Sequence, residues 1–238
     1  MIQAGDKIAV AVSGGKDSIS LLHVLRHRLM VSPVKFEFTA VHVDFKFSDF
    51  DPQKLVDYLE REGFPYLVEK VEALEGERWE DIDCFWWSWN RRKALFELAA
   101  GQGFTKIAFG HHMDDIVETI ILNQFYRGEI GAMRPKQELF DGKIVLIRPL
   151  AYEREESMRA LADKLNIQSI GGQSKCANEE DSHRAKIKAM LREFERDNPQ
   201  IIKNIFRSLQ NLKADYLLDK GESQSHKVTG HKRSSQNL

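Results

Sequence analysis

The chain has 238 residues, 42% of them hydrophobic and 30% charged, which suits one folded α/β domain with a sizeable core plus an extension. Thirty-five Lys and Arg against 36 Asp and Glu leave a formal net charge of -1, so a uniformly basic surface is excluded and any nucleic-acid contact is confined to local patches. No apolar run approaches the length that spans a bilayer, and the start is polar at Gly5, Asp6 and Lys7; a cytoplasmic protein without a membrane partner is expected.

The first element is an apolar run over residues 7 to 12, read as a buried parallel strand, which ends at the Gly14-Gly15 pair. From Asp17 the spacing of Ile19, Leu21, Leu22, Leu25 and Leu29 predicts a helix. A second strand is read from Phe36 to Asp44, followed by a helix from Pro52 with Leu55, Val56 and Leu59 on its apolar stripe. Residues 66 to 71 predict a third strand, residues 88 to 100 a helix, and Lys106 to Phe109 a fourth strand. A helix from about Asp114 carries Ile116, Val117, Ile120 and Ile121, and Ile144 to Ile147 make a fifth strand. Strands alternating with helices imply an α/β fold: a doubly wound, mostly parallel five-stranded sheet over residues 1–165. Residues 166–219 read as a C-terminal helical extension broken near Pro199, and 220–238, with almost no large apolar side chains, as a disordered tail. Ligands of such sheets sit at the carboxyl ends of strands, so the loops after Val12, Asp44, Phe109 and Ile147 are where a site belongs.

The strongest chemical signal is Ser13-Gly14-Gly15-Lys16-Asp17-Ser18 between the first strand and the first helix. Glycines let the backbone approach phosphate, free amides at a helix start favour an anion, and Lys16 brings positive charge. The spacing is not that of a Walker A loop. After the fourth strand comes Gly110-His111-His112-Met113-Asp114-Asp115, where two carboxylates at a helix start beside two imidazoles could hold Mg2+ and orient a nucleotide. The plain alternative for Asp114 and Asp115 is helix capping.

The hexapeptide resembles the signature of the PP-loop ATP pyrophosphatases, and the Gly-His-His-x-Asp-Asp segment is similar to that of their tRNA-thiolating and lysidine-forming members. Leu122 to Gly128, Ala132 to Lys136, Arg148 to Tyr152 and Ile187 to Leu191 resemble the tRNA 2-thiocytidine synthetase group, a likeness covering most of residues 5 to 219. The resemblance implies ATP and Mg2+ as cofactors, Asp44 near the adenine and ribose, and Arg148 near the phosphates or substrate. It implies a catalytic set of Lys16, Asp17 and Asp115, with Ser13, Gly14, Gly15, Ser18, Gly110 and His111 around the nucleotide. A tRNA cytidine is the implied substrate, with a sulfur donor that the sequence does not name and a homodimer as the common assembly.

One departure is plain. That group holds a 4Fe-4S cluster on three cysteines, a Cys-x-x-Cys pair and one later cysteine from a second Cys-x-x-Cys; here Cys84 matches the first and Cys176 the third, with Trp87 and Gln173 at the partner positions. Two thiolates fall short of the usual ligand set, and His183 is the remaining candidate ligand, set against a surface role. Phe85, Trp86, Trp87 and Trp89 crowd around Cys84, either packing the space of a cluster or lining a stacking pocket. Alternatively Cys84 and Cys176 serve as a persulfide carrier and a resolving thiol. The RNA patch is read as Arg91, Arg92, Lys93, Arg127, Arg134 and Lys136, extended by Arg184, Lys186, Lys188 and Arg192, against the alternative of solvated helix faces.

The expected reaction is adenylation of a carbonyl-type oxygen with pyrophosphate release, then displacement of AMP by sulfur. Two rivals stand beside it: the same ATP chemistry on a non-tRNA substrate, forming a thioamide or amide, and a non-catalytic nucleotide-binding regulator.

Overall fold

The computed structural model describes residues 1–45, 51–71, 84–167, 170 and 182–216. Strand β1 (Lys7–Ala11) lies in the middle of the sheet and alternates in the way a strand covered on both faces must. Ile8 and Val10 pack with Leu21, Leu22 and Leu25 of helix α1 (Lys16–Val31), while Ala9 packs on the other face with Leu95 and Ala99 of α3 (Cys84–Gly101). Each such aliphatic side chain, fully buried, stabilises the fold by roughly 1.5–3 kcal/mol.

Between these elements run β2 (Glu37–Phe45), α2 (Pro52–Arg61) and β3 (Tyr66–Val71). Then follow β4 (Lys106–Ala108), α4 (Met113–Arg127), β5 (Lys136–Leu139), β6 (Ile144–Ile147) and α5 (Glu155–Lys164). The sheet order is β3-β2-β1-β4-β6-β5, parallel throughout except for the β5–β6 pair.

Six strands therefore stand where five were expected. The extra one, β5, is the polar segment Lys-Gln-Glu-Leu, which pairs antiparallel with β6 from Lys136 opposite Ile147 to Leu139 opposite Ile144. As an edge strand it buries no full face, so it carries no apolar run to read. Its turn relies on Phe140, Asp141 and Gly142, all with left-handed backbone (φ 52°, 56° and 83°). Helix α5 also escaped the sequence reading, because it buries only Met158 and Ala162 against the sheet layer. The early helix boundary was likewise underestimated: α3 opens at Cys84 rather than residue 88.

The stretch expected to break near Pro199 is two helices, α6 (His183–Asp197) and α7 (Ile201–Ser208), followed by a short 3-10 turn, Ala214–Tyr216. Their apolar stripes dock on α4: Met113, Val117 and Ile121 meet Ile187, Leu191 and Ile202. The extension is thus anchored on the helix that follows the Asp-Asp pair. Among the described residues no helix is long and apolar enough to cross a membrane.

Candidate nucleotide-binding site

β1 has β2 on one side and β4 on the other, so the chain winds outward in opposite senses from this point. The crevice at the carboxyl ends of β1 and β4 is where open α/β sheets bind ligands. The loop of residues 13 to 15 opens into it. Gly14 sits at φ 82°, a conformation that a side chain would strain, and Gly15 is the N-cap of α1 with no side-chain cap bond. The helix start thereby keeps its amides for an anion. Ser18 Oγ donates to Gly15 O (2.9 Å) and accepts from Ser13 N–H (3.3 Å), while Ile170 N–H donates to Gly14 O (2.9 Å). The loop is held from inside and from the far end of the domain.

Gly110 meets this loop directly. A Cβ built there would lie 3.0 Å from Asp17 C and O and 3.1 Å from Ser18 N, all backbone atoms. The two motifs read separately in the sequence are therefore in van der Waals contact, and only a glycine permits it.

Helix α4 starts one residue before the expected Asp114, because His112 is its cap: the imidazole accepts from Asp115 N–H and the Asp115 carboxylate accepts from His112 N–H (3.0 Å). Asp115 Oδ1 also receives Arg184 Nη2 at 2.9 Å. Asp114 takes both Nε and Nη2 of Arg154, at 3.0–3.2 Å, and caps α5 by accepting from Glu155 N–H at 2.7 Å. Arg154 in turn donates to Glu195 of α6 at 2.6 Å, and Asp114 and Glu195 together raise its proton affinity against the opposing effect of burial. Glu118, one turn beyond Asp115, is only 3% exposed; burial pushes its carboxyl up, and Arg184 (2.7 Å) and Lys188 (3.8 Å) oppose that. Arg184 and Lys188, read from sequence as part of an RNA patch, turn instead toward these carboxylates.

Just past β6, Arg148 is 7% exposed and pinned by its hairpin: its backbone N–H donates to Pro135 O (2.8 Å) and its Nη1 to Arg134 O. Burial, then the nearby Arg92 guanidinium, lower its proton affinity. His111 stacks on Phe109 with ring centroids 5.5 Å apart. Burial drives its pKa down to about 4, with Asp115 opposing and Arg148, Arg184 and His112 assisting, so the ring is neutral. Among the described residues three buried side-chain polar atoms have no partner, and two of them are His111 Nδ1 and Arg148 Nε. Unmet polar atoms at depth are costly, and a ligand in the crevice would satisfy both. Asp44, buried near the end of β2, lies beside His42, whose Nδ1 is 2.8 Å from Val12 O.

Cys84 stands first in α3, with its side chain and those of Phe85, Trp86 and Trp87 outside the described set, and Cys176 lies outside the described residues entirely. Trp89 is exposed, with Lys93 Nζ 5.7 Å over its ring. His183 is a surface residue stacked on Tyr126 at 3.9 Å.

Residues 3–193 match the PP-loop domain family. This chain belongs to the PP-loop family. It is 42% identical to the tRNA-cytidine(32) 2-sulfurtransferase of Pseudomonas fluorescens (strain Pf0-1), over 92% of this chain and 81% of that protein. The protein of the same name from Polynucleobacter asymbioticus is 37% identical, over 92% and 74%. The U34-tRNA thiolase NcsA from Methanococcus maripaludis, solved with its 4Fe-4S cluster, superposes with a TM-score of 0.71 at 20% identity, covering 92% of this chain and 75% of that one, which shows a shared fold.

Mg2+ and an iron–sulfur cluster each require a particular donor set. For Mg2+, the Asp114 oxygens are taken up by Arg154 and the Glu155 N–H, whereas each Asp115 oxygen accepts one bond, from Arg184 or from the His112 N–H, and keeps a lone pair that could join a nucleotide's phosphates around the ion; among the described residues no three His, Cys, Asp or Glu side chains gather as a metal cage. For an iron–sulfur cluster, the whole chain offers two thiols, short of the usual set of cysteine ligands. The residues that sequence reasoning missed are Arg154, Glu155, Glu118 and Glu195; they belong to no local motif and meet only across helices.

Proposed function

We propose that this PP-loop chain is a sulfurtransferase that activates a tRNA cytidine with ATP and replaces the base's carbonyl oxygen with sulfur. The orphaned His111 Nδ1 and Arg148 Nε beside an uncapped α1 carry the reading that a substrate and a polyphosphate meet in this crevice. The relatives at 37–42% identity supply the substrate class.

In this reading the triphosphate lies along residues 13 to 18, with the amides of α1 and the Lys16 ammonium on its oxygens and Asp44 toward the nucleoside. The base oxygen attacks the α-phosphorus, the bond from that phosphorus to the bridging oxygen breaks, and pyrophosphate leaves. Donors fixed in advance are worth most at this point, because charge builds on the phosphoryl oxygens in a cleft with little water. A sulfur nucleophile then adds to the ring carbon and expels AMP, which carries the original oxygen away. Sulfide can add directly; with a sulfane-sulfur donor, the terminal sulfur of a Cys84 persulfide adds to the ring carbon, and the Cys176 thiolate then attacks the Cys84 sulfur, breaking the S–S bond to release the thiolated base and leave a Cys84–Cys176 disulfide.

The test is purified protein with unmodified tRNA, ATP and a sulfide source, following pyrophosphate and thiolated cytidine together. Pyrophosphate release that depends on tRNA supports the reading. Release without any dependence on tRNA moves the substrate elsewhere, and ATP binding without release makes the protein a regulator.

A further inference from the structure

Glu155 does not belong to either site motif, yet it sits where three helices meet the phosphate loop. Lys16 Nζ contacts its own neighbour Asp17 at 2.8 and 3.0 Å and reaches Glu155 Oε1 at 3.8 Å. The Glu155 side chain is only 15% exposed, and its two oxygens are occupied from the other side by Lys188 of α6, at 3.2 and 3.1 Å. Arg159 adds a contact at 3.5 Å through a more exposed side chain. Burial alone would push the Glu155 carboxyl up; Lys188, Lys16 and His112 outweigh it and hold it ionised.

A carboxylate beside the loop lysine carries the same charge sign as a phosphate. It therefore competes with a triphosphate for Lys16, to the degree that nothing else neutralises it. Lys188 is the nearest neutralising group, and it comes from the C-terminal extension, 172 positions beyond Lys16 by number (188 less 16). We propose that Lys188 is a positioning residue for ATP: by occupying Glu155 it leaves the Lys16 ammonium available to the triphosphate. The inference rests on reading the loop as an ATP site. It also gives α6 a role in the chemistry besides covering α4.

The experiment is equilibrium binding of ATP, and of an analogue that cannot release pyrophosphate, to the full chain. Lys188→Met is expected to weaken binding about fivefold, the size of one charge-assisted contact shared between cations. Lys188→Arg should restore most of it. The deciding variant is Glu155→Gln in the Lys188→Met background, which removes the competitor and should return binding to the wild-type level. Glu155→Gln alone should bind ATP at least as tightly as wild type. Unchanged binding in Lys188→Met overturns the inference. So does a double variant weaker than Lys188→Met, because Lys188 would then act only by holding α6 in place. A wild-type chain that binds no ATP overturns the inference together with the ATP site itself.

Discussion

On one wall of the crevice the charge lies in six consecutive residues, Ser13 to Ser18, set by a single left-handed glycine and a helix start. On the other wall Asp114, Asp115, Glu118 and Glu155 are held by Arg154, from the turn before α5, and by Arg184 and Lys188 of α6, with Glu195 of α6 bonded in turn to Arg154. The first wall is preorganised by backbone geometry and can be damaged only locally. The second is a web of ion pairs between helices, so each member acts through its neighbours and the extension takes part in the site. A loop of amides suits a ligand that comes and goes; a web of partly buried ion pairs suits a frame, because breaking one pair leaves a charge uncompensated.

Removing the loop's one cation should divide the walls most sharply: Lys16→Met is expected to lower ATP-dependent turnover by about a hundredfold or more with little change in melting temperature. Gly110→Ala tests whether the two motifs truly touch. Its Cβ would fall on Asp17 and Ser18 backbone that cannot swing aside, so ATP affinity should drop about tenfold, with a modest loss of stability. The opposite signature is expected of Asp114→Asn, which breaks the bidentate Arg154 pair and the cap of α5: stability should fall by about 2 kcal/mol in denaturant titration, ahead of any change in ATP affinity. If instead ATP affinity collapses at unchanged stability, Asp114 belongs with the loop and not with the frame.

The smallest effect is a pH dependence. The unfolded chain takes up a proton on His111 near the ordinary value of 6.5, the folded chain only near 4, so the unfolded state binds more protons between those values. This contribution to stability is full above pH 6.5 and is lost as pH falls toward about 4. His111→Gln should therefore flatten the fall in melting temperature across that window. His23 and His42, also lowered first by burial, should leave some of the slope in place.

The phosphate loop was legible because strand, glycines and helix are consecutive, and the covalent chain alone brings them together. The apolar runs of β1, β2, β4 and β6 were legible for a related reason: strands buried on both faces must be apolar throughout. Strand β5 was not, since an edge strand needs backbone pairing and no apolar face, and α5 was hidden by how little it buries. The same limit explains the lysines and arginines of α6. Their sequence spells a basic helix surface, and nothing local distinguishes a residue facing solvent, such as Lys186, from Lys188, which faces Glu155. Sequence by itself determined the fold class, the glycine loop between β1 and α1 and the kinship with the PP-loop family, because these depend on short-range geometry and on periodicity. Only the tertiary structure decided that Gly110 seats against Asp17, that Asp114 caps α5, and that Glu155 stands between Lys188 and Lys16. Those contacts join positions tens of residues apart, and their energy exists only once the helices have packed.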